Sequence, residues 1–224
     1  MDIAYVINFL KELAANNNRE WFTANKDKYE KAKDEFDILT TALIETISTF
    51  EPGVKGMQPS QCTYRIYRDI RFSSDKTPYK TYMGAYVNPR GKKSNHCGYY
   101  LHLEPGRCML CAGSICWPTK LLKDVRQAIF DNIDEYIEIV ENPEFKKYYP
   151  IVGDERLLSA PKGFDKSWEH IDYLKPKDYS INCNLPDSFF TEDIDTLMKR
   201  VGHIFEVAKP FADFTNYTID EFEE

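Results

Sequence analysis

Ile3, Val6, Ile7, Leu10, Leu13 and Ala14 recur at three- and four-residue intervals, which predicts a short amphipathic helix at the start of the chain. Asn16-Asn17-Asn18 breaks it. A longer helix is expected next, with Phe22, Tyr29, Ala32, Phe36, Leu39, Leu43 and Ile47 on one stripe, ending near Glu51-Pro52-Gly53. Then the period changes. Residues 63–67 and 82–87 are rich in β-formers, and 98–104 and 107–113 flank Pro105-Gly106, a pair that favours a type II turn and so predicts a hairpin. Pairing across that turn sets Leu101, Leu103, Cys108, Leu110 and Ala112 on one face as a core stripe, and Tyr100, His102, Met109 and Cys111 on the other. Helical spacing returns after Pro118 in Leu122, Val125, Ile129, Ile133, Tyr136, Ile137 and Val140. Residues 142–177 read as loop-rich, 179–184 as one more strand, and Ile194, Leu197, Met198, Val201, Phe205 and Ala208 as a final helix before Pro210. Helices, then strands, then helices predict an α+β fold: a central antiparallel sheet flanked by N-terminal and C-terminal helices, not an alternating βαβ chain.

No repeat, low-complexity stretch or Gly/Ser linker divides residues 1–224, so a single domain is expected. Hydrophobic residues at 42%, aromatics at 14%, supply enough apolar surface for a sizeable core. No apolar run approaches the roughly 20 residues of a membrane span. Met1-Asp2-Ile3-Ala4-Tyr5 has neither the basic start nor the apolar stretch of a signal peptide, so a cytoplasmic protein without a membrane partner is expected. The net charge of −7 argues against a protein whose whole surface binds nucleic acid. Asp220, Glu221, Glu223 and Glu224 read as a solvated acidic end.

The positive charge is concentrated. Residues 65–80 carry Arg65, Arg68, Arg71, Lys76 and Lys80 against Asp69 and Asp75 alone. The planar fork of arginine suits phosphate or carboxylate, and the two aspartates could orient the guanidinium groups. Ser73, Ser74 and Thr77 add hydroxyls in a turn closed by Pro78, and Tyr64, Tyr67, Phe72 and Tyr79 add aromatic faces. The competing reading is architectural: Asp69 and Asp75 pair with Arg68 and Arg71, and the network closes on itself. Arg19, Asn25 and Lys26 lie where a helix is expected to begin, a position that favours anions and could extend the basic surface. Trp21 and Phe22 read as anchors of that helix.

The segment Arg65-Ile66-Tyr67-Arg68-Asp69-Ile70-Arg71-Phe72-Ser73-Ser74-Asp75-Lys76-Thr77-Pro78-Tyr79-Lys80 resembles the R-x-x-R-D-x-R-F-S-x-D-K-x-P-Y-K signature of an uncharacterised family, domain of unknown function 2461. Asn17, Arg19, Trp21, Phe22, Asn25, Lys26 and Tyr29 are similar to that family's opening block. Gly98-Tyr99-Tyr100, Gly113, Arg126 and Pro161-Lys162-Gly163 are similar to its later landmarks. The resemblance implies membership over nearly the whole chain and implies no particular reaction.

Six cysteines, Cys62, Cys97, Cys108, Cys111, Cys116 and Cys183, invite a metal reading. Cys108 and Cys111 have C-x-x-C spacing, but residues three apart on a strand point to opposite faces, so buried thiols and no metal are expected. Gly91-Lys92-Lys93-Ser94 lacks the earlier glycine and the following helix of a phosphate-binding loop. His96, His102, His170 and His203 are scattered, and spacing selects none of them. The expected function is therefore binding of a small phosphate- or carboxylate-bearing molecule by Arg65, Arg68, Arg71, Ser73, Lys76, Tyr79 and Lys80, with Arg19 and Lys26 as outer contributors. No cofactor is expected, and any catalysis would fall to Asp69 or Asp75. The alternative is a non-enzymatic module that contacts nucleic acid or an acidic partner through the same face.

Overall fold

Asp2 and Asn18 fix where the first two helices begin. Each places a side-chain oxygen on an amide of the first turn, Asp2 on Tyr5 and Asn18 on Trp21, satisfying a donor that has no partner inside the helix. Helix α1 (Ile3–Ala15) follows the first cap and α2 (Arg19–Ala24) the second. The long helix expected from Phe22 onward is divided at Asn25, whose side-chain amide donates to the Trp21 carbonyl at 2.9 Å. Side chains of this kind compete with the backbone ladder and favour helix ends. Helix α3 (Lys26–Ile47) then runs uninterrupted.

The computed structural model describes residues 1–115 and 117–223. Cys116, one of the six thiols, and Glu224, the last carboxylate of the acidic end, lie outside the described residues. After α4 (Pro59–Cys62) come β1 (Met83–Val87), β2 (Gly98–Leu103) and β3 (Cys108–Ser114), then α5 (Thr119–Asp131), α6 (Ile133–Val140) and α7 (Pro143–Tyr148). Strand β4 (Tyr179–Leu185) and α8 (Ile194–Glu223) complete the order. The fold is α+β, with a four-stranded antiparallel sheet in the order β1-β2-β3-β4. The β2–β3 turn closes with the Arg107 amide on the Glu104 carbonyl at 2.8 Å, and Gly106 supplies the required positive φ of 75°. Leu101, Leu103, Cys108, Leu110 and Ala112 are all buried, as the alternation predicts.

Further expectations are corrected. Residues 63–67 form no strand; they touch their neighbours through isolated bridges, Thr63 opposite Ala85 and Tyr67 opposite Tyr79. The β-formers there are used singly because the chain leaves β1 to pair with residues 78–80. Nor does the last helix stop before Pro210. Ile204, Phe205, Ala208, Phe211, Ala212, Thr215 and Ile219 continue the helical stripe and are buried, and that burial outweighs the hydrogen bond that proline removes. The acidic end is correspondingly engaged: Asp220 lies 2.9 Å from His96 Nε2, and Glu223 accepts from the Asn95 amide at 3.2 Å.

By its internal contacts the chain comprises two compact units. The first holds Met1–Lys92, Tyr100–Leu110 and Asn184–His203. In it α1 buries Ile3, Val6, Ile7, Phe9, Leu10 and Leu13 against α3, which in turn contacts β1. The second holds Lys93–Tyr99, Cys111–Cys183 and the chain from Ile204 on. Its core gathers Val125 and Ile129 of α5, Tyr136 of α6, Phe145, Tyr149, Tyr179 and Phe211, with the Tyr149 hydroxyl donating to the Ile204 carbonyl at 3.0 Å. No helix among the described residues is long and apolar enough to cross a membrane.

Because Pro210 is exposed and sits inside a helix held by packing on the other side, Pro210→Ala is expected to raise the free energy of unfolding by about 1–3 kcal/mol in urea denaturation. A loss of stability would show that the fold depends on the proline.

Candidate functional site

The basic segment is held in the first unit by a side chain that imitates a strand. Asn17 donates from its amide nitrogen to the Tyr79 carbonyl at 2.9 Å and accepts the Tyr79 amide on its oxygen at 3.1 Å. Both backbone groups of a buried residue are satisfied by one side chain. The Tyr79 ring stacks on Phe22 at 3.9 Å and 14°, with Tyr67 at 5.5 Å from Tyr79 and Tyr29 at 5.1 Å from Phe22. Tyr79, expected at the ligand, is therefore an anchor of the loop. Phe22 anchors as expected, and what it secures is this loop. Beyond the clamp the Arg68 amide donates to Pro78 O at 3.0 Å and the Lys80 amide to Ile66 O at 2.8 Å, so residues 66–68 and 78–80 form the neck of a loop whose tip is 69–77.

Most of the segment's charges are consumed inside that loop. Arg68 crosses the neck to Asp75 at 2.5 Å, to the Thr77 carbonyl at 3.0 Å and to the Thr77 hydroxyl, with Ser73 Oγ at 3.5 Å. Arg71 makes a fork on Asp69, Nε at 2.9 Å and a terminal nitrogen at 2.7 Å. Lys76 donates to the Ile70 carbonyl at 3.0 Å. The Arg71 contacts hold the Asp69 carboxyl below the ordinary carboxylate range; for Asp75 the bonds from Thr77 do so first and Arg68 after them. Stabilisation of the anions in this way weakens both carboxylates as bases. Each of the two arginines thus has a carboxylate partner within the loop, Asp75 for Arg68 and Asp69 for Arg71.

Two cations of the segment are left over. Arg65 is exposed and has no hydrogen-bond or ion-pair partner among the described residues. Lys80 is half-buried, its ammonium 5.5 Å from the Tyr64 ring and 5.6 Å from the Tyr82 ring, with no carboxylate partner among them. Burial first, and the charge of Arg65 second, lower the Lys80 pKa. Lys92, from the rejected phosphate-loop match, joins them: its ammonium is 5.4 Å from the Tyr64 ring and donates to Ser60 O at 3.2 Å and Thr63 O at 2.7 Å. Arg19 is exposed at the start of α2, its charge felt by Tyr79, whereas Lys26 turns to Glu30 at 3.4 Å.

Beside this cluster stands a hydrogen-bonded row that spacing did not select. On β2 and the residue after it, Tyr100, His102 and Glu104 occupy alternate positions on the face opposite the core stripe. The Tyr100 hydroxyl lies 2.9 Å from His102 Nδ1, and His102 Nε2 lies 3.2 Å from Glu104 Oε2. Thr81 donates to the other Glu104 oxygen at 2.9 Å, and Arg107 lies 3.7 Å from Glu104 Oε2 across the turn. The Tyr82 ring covers the imidazole at 4.5 Å. Gly84 is required here, because a side chain at that position would occupy the space of the Tyr100 hydroxyl. The available signal was the polar i, i+2, i+4 alternation on β2; that it meets Lys80 and Tyr82 depends on strand pairing.

Burial pushes the thiols of Cys97, Cys108 and Cys111 up to about 12 and those of Cys62 and Cys183 to about 11, so each is protonated at neutral pH. Among the described residues no cluster of His, Cys, Asp or Glu is arranged to hold a metal ion. His96, in the second unit, bridges Ser94 at 2.8 Å and Asp220, but Ser94 also accepts the His96 amide at 3.1 Å, a turn closed on itself. A cavity of about 1030 Å³ in the second unit is rimmed by Asp124, Asp131, Glu135, Glu138 and Asp213, a sign of charge opposite to the one an anion needs.

The family model of the conserved hypothetical proteins DUF2461 matches residues 5–214. The chain belongs to this family. No curated protein and no solved structure matches it. In this DUF2461 chain the matched span includes both the clamp and the Tyr100–Glu104 row.

Two outcomes follow for the DUF2461 loop. Arg68→Met should destabilise the protein by about 1–2 kcal/mol through its lost Thr77 bonds, whereas Arg71→Met, at a largely exposed pair, should leave the melting temperature unchanged. Thermal denaturation of both variants checks this. Burial holds the His102 imidazole below its ordinary value against the pull of Glu104. The unfolded chain therefore takes up that proton first, and stability should fall as pH drops below about 6.5. Urea titrations between pH 7 and 5 should show a shallower fall in His102→Gln than in the natural sequence.

Proposed function

We propose that the protein binds a small molecule bearing a phosphate or carboxylate on the basic, aromatic face formed by Arg65, Lys80 and Lys92 with Tyr64 and Tyr82. The observation that carries this reading is the unequal use of the cations. Arg68 and Arg71 have carboxylate partners within the loop, while Arg65 and Lys80 have none among the described residues, and burial first and Arg65 second disfavour the charged form of Lys80. An anion placed between them would offset that repulsion and favour the charged form of Lys80. The tyrosine rings offer cation–π support to the lysines and an apolar wall for the body of a ligand. The net charge of −7 is compatible with such a site, since a small ligand samples only the local potential.

One observation favours the second reading. Phe72 is 96% exposed at the loop tip, beside Arg71 at 5.8 Å, an arrangement on which a base or an acidic chain could settle. The two readings use different residues, so one experiment separates them. Phenyl phosphate, added to the purified protein, should raise the melting temperature, by the equivalent of about 2.7 kcal/mol at a hundredfold excess over Kd. The shift should vanish in the Arg65→Met/Lys80→Met double variant and survive in Arg71→Met. No shift, or a shift that the double variant retains, would overturn the proposal. Salt-sensitive binding of a single-stranded oligonucleotide, lost in Phe72→Ala alone, would favour the second reading.

A further inference from the structure

Resting on that anion-binding reading, we propose that Tyr100 is a proton-transfer residue for the molecule held on this face, with His102 and Glu104 as the relay that receives and stabilises its proton. The hydrogen bonds fix the chemistry. Glu104 can only accept, so the Nε2 proton of a neutral His102 points to it, and Nδ1 is left with a lone pair for the Tyr100 hydroxyl. The row is a phenol polarised by an imidazole, and the imidazole is oriented by a carboxylate that Thr81 holds in place. Nucleophilic triads use the same order of roles.

The step balances within these groups. As the Tyr100 oxygen takes a proton from a substrate O–H or C–H, its own proton passes to His102 Nδ1. The result is a deprotonated substrate, an unchanged phenol and an imidazolium that keeps its Nε2 proton and donates it in a hydrogen bond to Glu104. Negative charge grows on the substrate, where Lys80 and Arg65 are available to meet it. Microscopic reversibility lets the same row deliver the proton back. Gly84 serves this arrangement by leaving room for the Tyr100 hydroxyl against the β1 backbone. The charged and titratable groups around His102 are Tyr100 and Glu104 on its own segment, Tyr82 over its ring and Arg107 from the β2–β3 turn.

Sulfonyl fluorides test this without knowledge of the substrate. An activated phenol attacks sulfur, an O–S bond forms, fluoride leaves, and the phenol proton goes to His102. The full-length protein is treated with benzenesulfonyl fluoride and, separately, with its 4-carboxy derivative, and labelled peptides are mapped by mass spectrometry. Both reagents should modify Tyr100 at least tenfold faster than Tyr64 or Tyr82, and the rate should fall as pH falls and His102 protonates. Glu104→Gln should slow the labelling and displace its pH profile, and His102→Gln should abolish it. If His102→Gln fails to fold, the Glu104→Gln profile decides. Labelling of Tyr100 no faster than of Tyr64 and Tyr82, or a pH profile unmoved by Glu104→Gln, would overturn the relay. The carboxylated reagent should label Tyr100 faster than the neutral one, and Arg65→Met should remove that difference without changing the rate of the neutral reagent. Equal rates for the two reagents with Tyr100 still preferred would overturn the anion-binding reading and leave the relay standing.

Discussion

A single amide, the side chain of Asn17, constrains the first unit more than any charge does. Its two hydrogen bonds to Tyr79 give a loop residue the pairing a strand neighbour would have given, and they do so across 62 residues of sequence. An unsatisfied backbone group at a buried position costs free energy comparable to a lost hydrogen bond, so this one side chain sets where residue 79 sits. The stack of Tyr79 on Phe22 then orients the residues on either side of it. Lys80 is directed to the tyrosines of one face, and the loop tip is left to its own internal pairs.

With the neck so fixed, the positive charges divide by local geometry. Arg68 finds a carbonyl, a hydroxyl and a carboxylate within reach and becomes a brace. Arg71 finds Asp69 two residues away and is neutralised in place. Arg65 and Lys80 stand on the tyrosine side, where Glu104 is already committed to His102, Thr81 and Arg107. The face is electrostatically asymmetric because its acid is occupied elsewhere, not because bases are in excess. The carboxylate that could have quenched the lysine orients an imidazole instead.

The helices were legible because buried positions at 3.6-residue spacing leave little freedom, as in Leu10 and Leu13 or Leu39 and Leu43. Their ends were less so: Asn25 divides a helix through a side-chain bond that spacing does not reveal, and Pro210 fails to end one because Phe211, Ala212 and Thr215 continue to be buried. The β-formers at 63–67 are used as single bridges because their partners are split between β1 and the loop neck. Of the candidate site, the concentration of charge at 65–80 was visible, but which arginine meets which aspartate depends on the loop's closure. His102 was visible only as one histidine among four. Its partners on β2 obey a period of two, yet Tyr82 and Thr81 reach it through pairing that a linear reading cannot place.

The composition of the first unit also bears on how the protein is made. Its residues come from three separate stretches, the last of which, Asn184–His203, brings the buried Phe189 and Phe190. Translation proceeds at roughly 5–20 residues per second, so the N-terminal helices wait on the order of ten seconds or more for that final piece. During this interval the apolar stripes of α1 and α3 can cover one another, but the unit remains unfinished. A ribosome stalled before residue 184 would present a nascent chain with its clamp residues already synthesised and part of its core still missing, the state in which a chaperone has the most surface to hold.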